Sequence, residues 1–231
     1  MSGLDLYASI ESSLPFEQEI NYLYDIFKDI VIETAPKTLI DIGCGQGEFC
    51  KIIEQNSIKA KGVDLSSKQI ELAKAKKVDA SCVDIKDINE KFDCATAIFD
   101  VVNYIPNEQI DQFLQNSYNL LNKGGYFIFD INSLFGFSEV AIGTLTIDEP
   151  DRFIAIDAVF EDNILNTSIT LFEKQQECYK KTSDTIKQYY YSNKELTIKL
   201  EKIGFIIEHI EAIDLHDFGQ NDKNIFICRR K

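Results

Sequence analysis

Three glycines alternate in Asp41-Ile42-Gly43-Cys44-Gly45-Gln46-Gly47. The stretch follows an apolar run, Thr38-Leu39-Ile40, and precedes a helical pattern at Phe49, Ile52 and Ile53. This reads as a buried strand that ends in an acid, then a turn, then a helix. Glycine permits φ > 0 and lets a ligand approach the backbone closely. The helix start behind it offers free N–H groups and the positive end of a dipole. A carboxylate, a phosphate or a ribose is therefore expected to lie there. The spacing narrows the choice. A dinucleotide loop reads G-x-G-x-x-G, whereas here the third glycine comes one residue early and Glu48 occupies the glycine's place. That acid would repel a pyrophosphate. No Gly-Lys-Ser/Thr follows, so the stretch is not a P-loop. A zwitterion with one carboxylate fits better than a diphosphate. No packing need evident in the sequence accounts for all three glycines, so the loop is read as built for a ligand.

Four more acids close apolar runs: Asp64, Asp84, Asp100 and Asp130. The elements that must carry them follow from periodicity. Residues 16–35 have a helical stripe at Ile20, Leu23, Tyr24, Phe27, Ile30 and Val31. Strands are expected at 38–42, 59–64, 78–83, 92–99 and 126–131. Helices lie between them: one from the glycine loop to about Asn56, one capped by Ser66 and running through Lys77, and one capped by Asn107 and stopped at Gly124. Strands alternating with helices make a parallel sheet covered on both faces, with ligands at the carboxyl ends of the strands. All five acids fall there. From about 144 to 191 the pattern changes to strand-like runs: 153–160, a turn at Glu161-Asp162-Asn163, 164–172, and two shorter runs near 177–181 and 185–191. An antiparallel insertion over 137–191 is expected, leaving 1–136 and 192–231 as the core. Asn193 is expected to cap a closing helix that Gly204 stops, before two last strands at 205–215 and 224–228.

The 231 residues suit one domain with an insertion, and 45% hydrophobic composition allows a full core. No run of 18 apolar residues is present, so no transmembrane helix is expected, and no secretory signal is read at the N-terminus. Six cysteines are scattered without a C-x-x-C pair, and only His209 and His216 accompany them. Neither zinc nor any other metal is expected, and a reducing cytoplasm is the simplest compartment. A net charge of −14 repels phosphate backbones and anionic lipid, so neither nucleic acid nor a membrane is the expected partner.

The chain resembles the class I S-adenosylmethionine-dependent methyltransferases. The likeness is carried in order by Asp41 to Gly47, Gly62-Val63-Asp64-Leu65-Ser66, Cys82-Val83-Asp84-Ile85, Phe92-Asp93-Cys94-Ala95, Leu120-Leu121-Asn122-Lys123-Gly124-Gly125 and the closing helix–strand–strand unit. Asn103-Tyr104 and Phe127-Ile128-Phe129-Asp130-Ile131-Asn132-Ser133 are similar to the small-molecule methyltransferases with a β insertion after strand five. The resemblance implies an α/β, Rossmann-like, doubly wound seven-stranded sheet whose last strand is antiparallel. It implies S-adenosyl-L-methionine as cofactor. Gly43, Gly45 and Gly47 would pack on its methionine part, with Asp41 near the ammonium or organising the loop. Asp64 would accept from both ribose hydroxyls, Leu65 would flank the adenine, and Asp84 and the N–H of Ile85 would meet the adenine edge. Phe99 and Asp100 would line the methionine and sulfonium region. Asp84 has a plainer alternative, capping the turn before Lys86-Asp87, and Asp100 could simply end its strand.

Pocket candidates toward the acceptor are Tyr7, Asn103, Tyr104, Asn132 and Tyr190. Tyr7 stands where the family often places a tyrosine over the cofactor, but Ala8 follows it where the family usually has an acid. No catalytic base is assigned; His216, at the end of a strand, is the candidate. The expected reaction is direct in-line methyl transfer to an oxygen or nitrogen of a small soluble acceptor. Asp100-Val101-Val102-Asn103-Tyr104 matches neither Asn-Pro-Pro-Tyr nor Asp-Pro-Pro-Tyr. The alternatives are a cofactor-binding sensor or partner subunit without catalysis, and an RNA or protein methyltransferase. The insertion is expected either to cover the substrate or, through its exposed edge, to serve as a homodimer surface.

Overall fold

The computed structural model describes residues 3–231. A first helix, α1 (Gly3–Ile10), and a 3-10 turn (Glu11–Ser13) precede α2 (Glu17–Thr34). Then β1 (Thr38–Ile42), α3 (Glu48–Glu54), β2 (Lys59–Asp64), α4 (Ser67–Ala75), β3 (Ala80–Cys82) and β4 (Phe92–Ala97) alternate. They continue through α5 (Ile110–Asn119) into β5 (Leu121–Asn132). Four strands follow: β6 (Gly143–Glu149), β7 (Arg152–Glu161), β8 (Ile164–Gln175) and β9 (Cys178–Tyr189). The chain closes with α6 (Asn193–Ile203), β10 (Phe205–Ile213) and β11 (Lys223–Arg230).

Seven strands form one sheet in the order β10-β11-β5-β4-β1-β2-β3, and β6-β7-β8-β9 form a second, antiparallel sheet. The last strand, β11, is antiparallel to both its neighbours, as the resemblance implied. Successive strand residues point to opposite faces, and both faces of the large sheet are apolar. Ile40, Ala95, Phe127, Phe129 and Phe226 meet α5 and α6 through Leu114, Leu196 and Leu200. Leu39, Cys94, Ile128 and Ile225 meet α2 and α3 through Leu23, Phe27, Val31 and Phe49. Fully burying each such side chain is worth about 1.5–3 kcal/mol. Two residues along from Leu39, Cys94, Ile128 and Ile225 stand Asp41, Thr96, Asp130 and Lys223. The same alternation that buries the apolar stripe thus lays a polar row across the carboxyl end of the sheet, on the α2 and α3 side.

Several boundaries differ from the sequence reading. The fifth helix is not capped by Asn107: a turn runs from Pro106, whose carbonyl accepts from Gln109 and Ile110, and the helix starts at Ile110. It ends at Asn119 rather than Gly124, because Leu121 already pairs with Phe92. Gly124, at φ 79°, lies within the register shift of β5. Ser192, not Asn193, caps α6 by accepting from the amide of Glu195. The two short runs near 177–191 are one twelve-residue strand, β9, and β6 adds an edge strand. The N-terminal helix carries too little periodic signal in eight residues to stand out alone. It is held by the second sheet: Leu6 and Ile10 are buried with Ile154, Ile169, Leu171 and Ile186. The N-terminal segment therefore packs with the insertion rather than only with the core.

Candidate active site

Gly43, Gly45 and Gly47 all adopt positive φ, at 71°, 52° and 80°. Their surroundings differ. A Cβ at Gly43 would lie 2.6 Å from Val101 Cγ2, and one at Gly47 would lie 2.8 Å from Val78 Cγ1. Gly45 meets nothing closer than the Gln69 amide at 3.9 Å. Packing thus accounts for two of the three glycines, since Gly43 and Gly47 are held by neighbours, but not for all three. Gly45 is the bare stretch of backbone that a ligand could reach.

Asp64 organises this loop. Its carboxylate accepts from the Gly45 amide at 3.0 Å and the Ser66 amide at 2.7 Å. Burial pushes its carboxyl up, while the amides of Ser66, Gly45 and Leu65 draw it back. Leu65 beside it is 65% exposed, an apolar shelf next to a half-buried acid. Asp41 is buried on β1 and accepts from Thr96 Oγ1 at 2.7 Å. Burial pushes Asp41 up to about 7, opposed by the Thr96 hydroxyl and reinforced by the Asp64 charge. Asp84 accepts from the Lys86 amide at 3.0 Å and so does cap the turn before Lys86-Asp87. Its carboxylate remains partly exposed beside the buried Ile85.

Phe99 and Asp100 lie just beyond β4, which ends at Ala97 rather than at 99, in consecutive left-handed conformations, both at φ 62°. Such a pair of non-glycine residues needs support. The Asp130 carboxylate supplies it, accepting from the Phe99 amide at 2.8 Å and the Asp100 amide at 3.2 Å. Lys223 Nζ donates to Asp130 at 2.8 Å and also to Asp100. The corner carries the next residue, Val101, onto Gly43. Asp130 had been read only as a strand-end acid, and Lys223 was missed. Its one signal is a lysine opening an apolar strand.

Tyr7 and Tyr104 are half-buried against this corner. Burial raises both phenols, and the charges of Asp100 and Glu11 raise them further. Glu11, also missed, accepts from the Gln46 amide at 3.2 Å and the Gln69 amide at 2.9 Å. Ser66 Oγ donates to Asp5 at 2.7 Å, and Arg152 of the insertion donates to the Ser9 carbonyl at 2.6 Å. The N-terminal segment thus lies across the glycine loop and α4, pinned from both sheets.

Other candidates sit elsewhere. Asn103 is fully buried; it donates to the Tyr189 carbonyl at 2.9 Å and accepts from the Asn132 amide at 3.0 Å. It braces β5 to the insertion instead of lining a pocket, and Asn132 enters that brace through its backbone. The Tyr190 ring packs edge-on to Phe137 under the insertion, apart from Tyr7 and Tyr104. His216 Nδ1 is held by Asp222, whose carboxylate also accepts from the Leu215 amide at 2.7 Å. Burial would raise Asp222, but His216 and the Leu215 amide outweigh it and hold it low. His216 lies 6.4 Å from the Phe16 ring, at the carboxyl edge of the sheet.

The family model described as "Methyltransferase domain" matches residues 17–210. The chain belongs to the methyltransferase family. With its sheet order and antiparallel last strand, it is a class I S-adenosylmethionine-dependent methyltransferase. This methyltransferase is 25% identical to a protein of Geobacillus sp. (strain WCH70) with methyltransferase in its name, over 97% of this chain and 96% of the relative. Its fold is similar to that of an S-adenosylmethionine-dependent methyltransferase from Clostridium acetobutylicum ATCC 824 (TM-score 0.78, 22% identity, 98% and 97% of the two chains). It is also similar to the sugar N-methyltransferase from Streptoalloteichus sp ATCC 53650 (TM-score 0.76, 17% identity, 99% and 92%). A third likeness is to an amino pentose methyltransferase from Micromonospora echinaspora (TM-score 0.70, 16% identity, 90% of both).

The residues present fit the cofactor. S-adenosylmethionine carries positive charge at its sulfur and its amino nitrogen. The cradle answers with Asp41, Asp64, Glu11 and Asp100, the bare backbone of Gly45 and the open Leu65 shelf. A carboxylate lining suits such a cation and would repel a diphosphate. Among the described residues, no helix is long and apolar enough to cross a membrane.

Proposed function

We propose that this methyltransferase transfers a methyl group in line to a nitrogen or oxygen of a small soluble acceptor, and that an amine is the acceptor group it fits best. The cofactor supplies an electrophilic methyl on a positively charged sulfur. Asp64 would hold the ribose, Leu65, Asp84 and Ile85 the adenine, and Asp41 with the glycine loop the amino-acid end. Phe99 and Asp100 would border the reacting methyl. Most of the available rate gain would come from alignment, worth up to roughly 7–11 kcal/mol.

The observation that carries the amine reading is the charge at the Phe99–Asp100 corner. It is flanked by the half-buried Tyr7 and Tyr104, and Asp100 and Asp130 share the single ammonium of Lys223. Burial pushes Asp130 up to about 7, so above that pH two carboxylates stand against one lysine, and the surplus negative charge would draw an ammonium and disfavour an acidic acceptor. The insertion and α1, joined through Leu6, Ile10 and Arg152, would cover this corner and limit the acceptor's size. Two structural neighbours, a sugar N-methyltransferase and an amino pentose methyltransferase, support that reading. An ammonium must lose a proton before it can attack. His216, oriented through Nδ1 by Asp222, keeps Nε2 as a candidate to take it.

The test is transfer of isotope-labelled methyl from S-adenosylmethionine into cell extract, before and after nuclease and protein removal. Label is expected in small amines and should survive both treatments. Label confined to RNA or protein would overturn the small-acceptor reading. Binding without label in any fraction would favour the non-catalytic sensor.

A further inference from the structure

Lys223 is buried at the start of the last strand, 4% exposed in its side chain, far in sequence from every motif that marks the site. A buried lysine persists only when its charge is compensated. Here burial works to lower its ammonium, and Asp100 and Asp130 outweigh that and keep it charged. The compensation has a second consequence. Asp130, itself fully buried, spends its carboxylate on two neighbouring amides, Phe99 at 2.8 Å and Asp100 at 3.2 Å. Those amides face one carboxylate because both residues are left-handed. Lys223 then ties Asp130 to the Asp100 side chain, closing the corner on itself. The corner abuts the glycine loop, since Val101 fills the space that a Cβ on Gly43 would need. From its other side, the Phe99 ring packs edge-on to Tyr24 at 5.2 Å, and Tyr24 stacks on Phe49 at the start of α3.

We propose that Lys223 is a positioning residue of the transfer site, holding the Phe99–Asp100 corner against the glycine loop and setting the charge that this corner presents to the cofactor's sulfur. It acts through Asp130 and Asp100 and touches no reactant. The inference rests on the reading of this cradle as the S-adenosylmethionine site. Without Lys223, burial and the Asp100 charge would push the Asp130 carboxyl further up, so that it takes a proton and one uncompensated negative charge remains at the corner. The Asp130 carboxyl that supports the left-handed pair would also lose its tie to the Asp100 side chain.

The test compares the affinities of S-adenosylmethionine, with its sulfonium, and S-adenosylhomocysteine, whose sulfur is neutral, by calorimetry. The ratio of the two reports charge at the sulfur. General loss of structure weakens both ligands together and leaves it unmoved. Lys223→Met should shift the ratio toward the sulfonium by about threefold or more, and Asp100→Asn should shift it the other way. Lys223→Arg, which keeps the charge, should leave the ratio near that of the wild type. Wild-type binding of both ligands with an unchanged ratio in Lys223→Met and Asp100→Asn would overturn the proposal alone. If Lys223→Met does not fold, Asp100→Asn carries the test by itself. Failure of the wild type to bind either ligand would overturn the underlying cradle reading.

Discussion

Replacing Gly43 and Gly45 separately by alanine should give opposite balances of stability and binding. At Gly43, alanine must hold φ 71° and place Cβ 2.6 Å from Val101 Cγ2 and 3.3 Å from its Cγ1. The left-handed conformation costs about 1–2 kcal/mol for a residue with a Cβ. Normal carbon contact is about 3.5–4.0 Å, so Val101 must retreat by about 1 Å. Such overpacking costs about 1–3 kcal/mol, and the total is about 2–5 kcal/mol. At Gly45, alanine meets φ 52° and no atom nearer than 3.9 Å. Its folded-state penalty is about 1–2 kcal/mol, yet its methyl stands on the one bare stretch of the cradle. Unfolding in urea followed by far-UV circular dichroism or tyrosine fluorescence, since the chain has ten tyrosines and no tryptophan, measures the first quantity. Calorimetry with S-adenosylmethionine measures the second. Gly43→Ala should lose more stability, and Gly45→Ala should lose about tenfold or more in affinity at the smaller cost of about 1–2 kcal/mol to the fold. Wild-type affinity in Gly45→Ala would refute the placement of the ligand. Gly43→Ala within about 0.5 kcal/mol of the wild type would refute the packing argument.

Asp41 gives a pH signature. Burial pushes its carboxyl from the ordinary 3.8 up to about 7, so between about pH 4 and 7 the unfolded chain has released a proton that the folded chain keeps. Stability contributed by this group therefore falls as pH rises through that window. Asp41→Asn should gain on the wild type across it, by up to about 4 kcal/mol at pH 8; urea titrations at pH 5 and 8 that show an equal gap would count against this. Glu11→Ala frees the Gln46 and Gln69 amides. It should speed amide exchange in residues 3–13 while the large sheet stays protected; uniform acceleration would mean that the segment is not an independent cover. Gly62→Ala would set a Cβ 2.5 Å from Cys44 Sγ, and should lower stability by about 1–3 kcal/mol with m unchanged.

The large sheet was legible because its signals are local. Five strands alternate with amphipathic helices, and the apolar runs stop at Asp41, Asp64, Asp84, Asp100 and Asp130. The boundaries that failed were set by partners distant in sequence. Leu121 turns to strand because Phe92 pairs with it, and Gly124 then serves a register shift instead of a helix stop. In the site, the cradle residues on the first three strand ends lay near one another in sequence, and their motifs were readable. The far wall was not. Lys223, Asp130 and Glu11 act through contacts spanning 30 to 123 residues, Lys223 to Asp100 being the longest, and a single lysine or glutamate carries no spacing. Asn103 misled for the converse reason: it follows a strand end as pocket residues do, but both ends of its amide are taken by backbone.

The central claim is that Asp41 to Gly47 and Asp64 together hold S-adenosylmethionine. Titration calorimetry of the wild type and of Asp64→Ala, with circular dichroism to show that both are folded, tests it most directly. Loss of Asp64 removes the acceptor for the Gly45 and Ser66 amides as well as the proposed ribose partner. The account predicts saturable binding to the wild type and at least about tenfold weaker binding to the variant, a difference of about 1.4 kcal/mol or more. No binding to the folded wild type, or equal binding to both, would contradict it.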